Sequence, residues 1–367
     1  MQTKKIAILA GDGIGPEIMR EAIKVLKLVA QRNDIRFELT EAPFGAAAYF
    51  ECGHPFPEET KKICDESDAI LKGPVGLNYA ESEKIPVELR PERGAILPLR
   101  KRLNTYANLR PMYLPPGLAH FSPLRPEIIG KGIDIIMVRE LVGGLYFGAK
   151  ETGVNARGKR YVKETLEYDE EQIARVAHVA FRQAMQRKKI LHNIHKNNVL
   201  KSSVLWNEVI EEVARDYPQV EVRHQLVDAA ATLLCLDPCQ FDVMVMENMF
   251  GDILSDQGGG LLGSLGLMPS ACLGDNKAYY EPSHGSAPDI RGRNIANPYS
   301  MIGSVAMMLE LSFGMPAESK NVWSAMQSVF TQGYSTPDLS RPGSTVKLIK
   351  TDEFGDRVVQ ELSKLSQ

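Results

Sequence analysis

No apolar run in this 367-residue chain approaches the ~20 residues that a membrane-spanning helix requires. Linkers are missing too: there is no Gly/Ser-rich tract, no low-complexity segment and no internal repeat. A domain boundary would therefore have to be crossed by packed structure. Charge of one sign is also absent. Lys and Arg number 43 against 46 Asp and Glu, a net −3, which gives no electrostatic reason to expect nucleic acid or an anionic membrane as partner. Cysteine is sparse: the 5 residues are an odd number without a disulfide-framework spacing, which suits a reducing cytosol and predicts a cytoplasmic protein. Cys235 and Cys239 in "CLDPC" lack a second Cys/His pair at finger-like spacing, so they are read as structural thiols and not zinc ligands. The opening "MQTKKIAILAGDG" breaks its short apolar run at Gly11, which predicts a first strand in place of a signal peptide.

What is present is an alternation. "KIAIL" predicts a strand, and Pro16 to Val29 then places Ile18, Ala22, Ile23, Val25, Leu26 and Val29 on one helical stripe, with Pro16 in the first turn. "IRFEL" alternates with period two. "AILKGPVG", "IDIIMV", "KILHNI" and "FDVMVM" read as further strands, the continuous apolar ones buried on both faces. Helical patterns cover 169–186, 207–216, 300–313 and 321–334. Such alternation predicts an α/β fold with a mostly parallel sheet. "AGDGIGPE" sits where a dinucleotide fingerprint would, between a strand and a helix. Its glycines, Gly11, Gly13 and Gly15, give G-x-G-x-G and not G-x-G-x-x-G. A standard Rossmann domain is therefore not predicted, and a tight strand-to-helix turn explains the stretch equally well.

The stretch "ENMFGDILSD" raises the chemical question. Asp252 and Asp256 lie four apart, on one face if the segment is helical, and like charges held together need something positive between them. A third carboxylate, Asp228 in "VDAAAT", also follows an apolar stretch. Three carboxylates with substrate oxygens and water would make a hard-oxygen site for Mg²⁺ or Mn²⁺. Arg100, Arg110 and Arg139 fall at element ends, and a guanidinium offers planar, bidentate recognition of carboxylates. A small anionic substrate beside a cation is the reading these two clusters make together.

The motifs "GDGIGPE", "GPVG", "RPERGAILPLRK", "ANLRP", "VRELVGGLYFG", "KNNVLKSSVLW", "ENMFGDILSD", "GSLGLMPSACLG" and "HGSAPDIRGRNIANP" run nearly end to end. In combination they resemble the isopropylmalate branch of the isocitrate/isopropylmalate dehydrogenase family of metal-dependent β-decarboxylating dehydrogenases. The resemblance implies that family's own two-domain α/β fold. Residues 1–105 and 263–367 would form a discontinuous cofactor-binding domain, and 106–262 a central domain carrying the dimer interface, metal and catalytic residues. It implies NAD-dependent oxidative decarboxylation of 3-isopropylmalate, a step of leucine biosynthesis. Arg100, Arg110 and Arg139 would clamp the substrate carboxylates, with Asp228 also at the substrate. Asp228, Asp252 and Asp256 would hold the cation. Lys196 would be the base in hydride transfer and Tyr146 the acid that protonates C3. Lys196 and Asp228 would come from the second subunit of a homodimer. Ile14, Glu92, His284, Gly285, Ser286, Ala287, Pro288, Asp289, Ile290 and Asn297 would line the cofactor site. Asp289 there would accept from the adenosine ribose 2′-hydroxyl and repel a 2′-phosphate, so the implied cofactor is NAD.

Several positions depart from the isopropylmalate pattern: His195 where Asp is usual, Ala229 and Thr232 for Asn and Met, and "GLNYAESEK" (76–84) in place of "GGPKW". They bear on the substrate's C3 substituent. Ile96, Leu97 and Leu99 next to Arg100 predict an apolar wall for an alkyl group. The runner-up is a relative acting on another 3-substituted malate, such as homoisocitrate, isocitrate, D-malate or an aryl or alkyl malate. A non-catalytic regulatory paralogue would tend to lose the lysine, the tyrosine or a metal aspartate, and all of these are present.

Overall fold

The computed structural model describes residues 2–130, 132–341, 343 and 345–365. In chain order the strands are β1 (Gln2–Leu9), β2 (Ile35–Glu41), β3 (Ala69–Lys72), β4 (Ala107–Leu114), β5 (Ile133–Glu140), β6 (Lys150–Val154), β7 (Arg160–Glu164), β8 (Ile190–His195), β9 (Glu221–Leu226), β10 (Val243–Met246), β11 (Pro269–Leu273), β12 (Ala278–Pro282), β13 (Tyr334–Ser335) and β14 (Lys347–Leu348). A 10-stranded sheet runs β2-β1-β3-β12-β11-β4-β5-β10-β8-β9. Its flanks are parallel: β2, β1, β3 and β12 on one side, β5, β10, β8 and β9 on the other. The centre is not. β12–β11, β11–β4 and β4–β5 all pair antiparallel, so the two flanks point in opposite directions.

The expected α/β class and mostly parallel sheet hold, and the antiparallel centre is the addition. The apolar runs of β3 and β10 are buried along their whole length, as strands covered by helices on both faces must be. The edge strand β2 keeps its alternation of buried and open residues. The first helix, Gly15–Arg32, buries Ile18, Ala22, Val25, Leu26 and Val29 completely, while Ile23 is only partly covered. The helix expected from Asn207 begins at Lys201 and ends at Ala214, and the late helices span Tyr299–Leu311 and Pro316–Thr331.

Strands β4, β9, β11 and β12 carry no clear strand pattern in the sequence. In β4 the pair Arg110-Pro111 argues against a central strand, because proline cannot donate to a ladder. The register resolves this. β11 pairs with β4 only over Ala107–Leu109, so one edge of β4 is open at Pro111. This central crossing of β12, β11, β4 and β5 is where the polar residues of the site gather.

Candidate active site

Strand β10 runs directly into the helix Asn248–Leu262, whose start is capped by Glu247 accepting from the amides of Met249 and Phe250, each at 3.0 Å. That helix sets Asp252 and Asp256 one turn apart on one face, and both meet arginines on the sheet. Arg139, in β5 and 2% exposed, pairs with Asp252 through Nη1 and gives its Nε and Nη2 to Asn248 Oδ1 at 3.0 and 2.8 Å. The approach is close: a Cβ on Gly251 would stand 2.5 Å from Arg139 Cγ, so the helix reaches the arginine only because that residue is glycine. Arg110, in β4, donates Nη1 to Asp256 Oδ1 at 3.1 Å and to Ser255 Oγ at 2.6 Å, and Nε to Asn108 Oδ1 at 2.8 Å.

Arg100 completes the trio from the helix Leu97–Leu103, where it is buried and donates Nε to the Tyr279 hydroxyl at 3.2 Å. Tyr146, in the turn Gly144–Tyr146 after β5, donates its hydroxyl to Asp252 Oδ2 at 2.8 Å. Arg100, Arg139, Tyr146 and Asp252 line one cavity of about 480 Å³. Ile96, Leu97, Leu145 and Met249 supply its apolar side, and Glu92 and Arg93 reach its edge. Leu99 does not belong to that wall: about 100° around the helix from Arg100, it is fully buried in the core. The expectation of Leu99 as a substrate wall is therefore corrected to Leu145 and Met249.

The electrostatics follow from burial and pairing. Burial tends to raise Asp252, but Arg139, Arg110 and the Tyr146 hydroxyl overcome it and hold the carboxyl below its usual range. Asp256 goes the other way, pushed up by burial and by Asp252 against the pull of Arg110. Burial with Asp252 beside it pushes the Tyr146 phenol up to about 12, so it stands as a protonated donor. Burial and the neighbouring Arg110 draw Arg139 down to about 10, with Asp252 opposing them.

Lys196 and Asp228 stand elsewhere. Lys196 follows β8, with its backbone amide bonded to Ser203 Oγ at 3.0 Å, and its Nζ pairs with Asp228 Oδ1 at 2.7 Å. Asp228 lies in the first turn of the helix Val227–Leu236, and Lys196 lowers its pKa. Within one chain Asp228 does not join Asp252 and Asp256, and no group of three His, Cys, Asp or Glu residues able to hold a metal ion occurs among the described residues.

The glycine-rich turn acquires a partner. The Ile14 amide donates to Ser286 O at 2.9 Å, and the Ser286 hydroxyl donates to Gly76 O at 2.8 Å. Gly13, at φ +57, is pressed so closely that a Cβ would lie 2.0 Å from Ser286 O. The turn is thus bound to the "HGSAPDI" loop, and Glu92 reaches the same place, with Oε1 2.9 Å from where a Cβ on Gly76 would be. Ile14 itself is 5% exposed and packs into the core. In the loop, Gly285 and Asp289 are exposed, Pro288 and Ile290 half-buried, and Ala287 takes a left-handed φ of +42°. His284 bonds Gly285 O through Nδ1 at 2.8 Å and leaves Nε2 buried without a partner. Asn297 is engaged at both ends, accepting from Tyr299 N at 3.0 Å and donating to Asp338 Oδ2 at 3.2 Å.

Asp12, Asn108, Asn248, Ser255 and Tyr279 escaped the sequence reading. Asp12 is buried in the glycine turn, where it accepts from the amides of Ala46, Ala47 and Gly76 at 3.0, 2.8 and 2.9 Å. Two of the others had a signal. Asn248 precedes Asp252 by one helical turn, and Asn108 shares a strand face with Arg110.

The donor set suits a divalent cation: two carboxylates on one helix face, hard oxygen ligands whose charge is now balanced by arginine. The orphaned His284 Nε2 and the exposed Asp289 suit a nucleotide ligand at the loop. A profile of the family described as isocitrate/isopropylmalate dehydrogenase matches residues 5–358. The chain is similar to a 3-isopropylmalate dehydrogenase of Thermotoga maritima, 47% identical over 361 residues that cover 98% of this chain and 99% of that one. It is similar also to one of Chromobacterium violaceum, 49% identical over 357 residues, covering 97% and 99%. Among solved structures, an isocitrate dehydrogenase from Methylococcus capsulatus matches with a TM-score of 0.86 at 32% identity, covering 99% of each chain.

Proposed function

Because this chain belongs to the isocitrate/isopropylmalate dehydrogenase family, we propose that it catalyses the NAD-dependent oxidative decarboxylation of 3-isopropylmalate to 4-methyl-2-oxopentanoate and CO₂, in leucine biosynthesis. The observation that carries this reading is the cavity where Arg100, Arg139, Tyr146 and Asp252 converge beside an apolar wall. Guanidinium groups would take the two malate carboxylates, and Ile96, Leu97, Leu145 and Met249 would take the alkyl substituent.

Asp252 and Asp256, with Asp228 of a second copy of the chain, would hold Mg²⁺ or Mn²⁺. When bound, the cation lowers the cost of negative charge on the substrate's C2 oxygen. Lys196 of the second copy would accept the C2 hydroxyl proton, and NAD, when bound, would supply the acceptor for the hydride leaving C2. The C3 carboxylate then leaves as CO₂, its bonding electrons forming the enolate. Tyr146, held protonated, delivers its proton to C3, and the enolate oxygen returns to a ketone. Sharing of sites between copies is supported by the exposed Val199, Leu236 and Ile253, apolar residues next to Lys196, at the end of the Asp228 helix and between the two metal aspartates.

In this reading residues 1–105 and 263–367 carry the cofactor and 106–262 the metal and proton-transfer groups. Gly285, Ser286, Ala287, Pro288, Asp289, Ile290 and Asn297, with Ile14, Glu92 and His284, line the NAD site. No helix among the described residues is long and apolar enough to cross a membrane, which is consistent with the cytoplasmic placement proposed here. The test is a substrate panel of 3-isopropylmalate, homoisocitrate, isocitrate, D-malate and tartrate, followed by NADH formation with Mg²⁺. The highest kcat/KM should belong to 3-isopropylmalate, and a higher value for any other member would displace it.

A further inference from the structure

The three arginines of the site are not equivalent. Arg110 and Arg139 are each tied to an aspartate and to asparagine or serine. Arg100 is tied at one point only, its Nε on the Tyr279 hydroxyl at 3.2 Å, and its remaining N–H groups have no acceptor among the described residues. It is 7% exposed and lines the cavity. Those donors are not sealed away but open on the cavity, where a ligand carboxylate can replace water as their acceptor.

The Tyr279 side is built to hold that single bond. Tyr279 is wholly buried on β12. Pairing in register across the sheet are Tyr279 and Cys272, Cys272 and Asn108, and Asn108 and Arg139, one row spanning four strands. Asn108 Nδ2 donates to Cys272 Sγ at 3.2 Å and its Oδ1 accepts from Arg110. Two residues along β12, on the same face, Glu281 is buried against Lys72 at 2.6 Å. Polar contacts therefore link Arg100 to Tyr279, and Asn108 to both Cys272 and Arg110, within the centre of the sheet.

We propose that Tyr279 is a positioning residue for substrate binding, holding the Nε edge of Arg100 so that its terminal N–H groups face the cavity as a carboxylate fork. The inference rests on the proposal that Arg100 binds a substrate carboxylate. Tyr279 itself touches neither substrate nor cofactor. Its phenol acts by fixing one rotamer of a long, flexible side chain, so its loss should appear as weaker binding and not as slower chemistry.

The experiment is a double-mutant cycle on Tyr279→Phe and Arg100→Ala, with KM for 3-isopropylmalate, KM for NAD and kcat measured for all four proteins. Tyr279→Phe alone should raise substrate KM about tenfold, as expected for losing one hydrogen bond to a charged group, with KM for NAD unchanged. In the Arg100→Ala background the same change should add nothing. Equal effects in both backgrounds, or wild-type KM in Tyr279→Phe beside a normal Arg100→Ala defect, would overturn the role of Tyr279 alone. A wild-type substrate KM in Arg100→Ala would overturn the arginine clamp and the inference with it. If Tyr279→Phe does not fold by circular dichroism, Tyr279→Gln keeps an acceptor on a smaller side chain. A KM closer to wild type than that of Arg100→Ala then supports the proposal, and one equal to it counts against.

Discussion

Both carboxylate oxygens of Asp252 are already engaged, Oδ1 by Arg139 and Oδ2 by the Tyr146 hydroxyl at 2.8 Å. A cation at this aspartate therefore does not enter an empty corner. A cation bound there as proposed would share the carboxylate with an arginine and a tyrosine, which would couple the proposed metal site, substrate clamp and proton donor through one side chain.

Asp252→Asn should lower turnover more than ~100-fold, because an amide carries no charge to hold the cation that stabilises charge on oxygen. The fold should survive, since Asn keeps an acceptor for Arg139. The phenol offers a second readout. Tyr146 is held up at about 12 by burial and by Asp252, and removing an adjacent negative charge favours the phenolate, so its pKa should fall while remaining above the ordinary ~10. Ultraviolet titration of wild type and variant checks this. Undiminished turnover in the variant, or in excess chelator, rules out the metal assignment.

Lys196→Ala and Tyr146→Phe should fail at different steps. Without Lys196 the C2 hydroxyl proton would have no acceptor, and single-turnover NADH formation should be lost. Without the Tyr146 hydroxyl, NADH should still form in the first turnover while release of 4-methyl-2-oxopentanoate is slowed, by about 10²-fold or more. Rapid-quench analysis separates the two. Loss of the NADH burst in both variants would place them in the same step.

Hybrid dimers test where Lys196 acts. Asp252→Asn and Lys196→Ala proteins should each be inactive, but a mixed dimer would hold one site with both defects and one with neither. Random reassembly should restore about a quarter of wild-type activity if the lysine serves the partner's site. If each chain completes its own site, mixing restores nothing.

The outline of this site was legible because its chemistry is compressed into short runs. Asp252 and Asp256 can be placed on one face from helical period alone, and β10 before them from an unbroken apolar run. The sheet's centre was not legible. β4 carries Arg110 and Pro111 and is contacted on one edge over only part of its length, so its sequence matches neither an alternating nor a fully apolar strand. The same crossing hid Tyr279 and Asn108, whose importance lies in cross-strand register between segments far apart in the chain. Leu99 shows the opposite error: proximity to Arg100 in sequence suggested a shared wall, and helix geometry turned it into the core.

His192 carries a prediction about acid stability. It is 3% exposed, its Nδ1 has no partner, and burial with Arg223 nearby lowers its pKa from 6.5 to about 4. The unfolded chain takes up a proton below 6.5 and the folded chain does not until about 4. Stability from this residue is therefore complete above the unfolded pKa and is lost as pH falls toward the folded one. Between about pH 7 and about pH 5 the linkage relation gives a loss of ~2 kcal/mol. His192→Leu should narrow the fall in urea unfolding free energy over that interval by a like amount. An unchanged pH dependence would show that His192 is not the group responsible.

The cofactor prediction turns on two neighbours in the turn Pro288–Ile290. Asp289 is exposed, where an acceptor for the ribose 2′-hydroxyl would have to be, and its charge would oppose the 2′-phosphate of NADP. Ile290 offers that phosphate no donor. Losing a hydrogen bond to a charged acceptor costs ~1.5–3 kcal/mol, about ten- to a hundredfold in binding, before any gain from a new cation is counted. Replacing Asp289 with Lys removes the acceptor and supplies a phosphate partner, and replacing Ile290 with Tyr adds a hydroxyl donor. The double variant Asp289→Lys/Ile290→Tyr should shift the NAD-to-NADP ratio of kcat/KM by at least about a hundredfold toward NADP. The ratio is measured in wild type and variant at fixed 3-isopropylmalate and Mg²⁺. Because the substitutions lie outside the arginine and aspartate cluster, KM for 3-isopropylmalate should stay the same. A wild type that prefers NADP would refute the assignment without any variant being made.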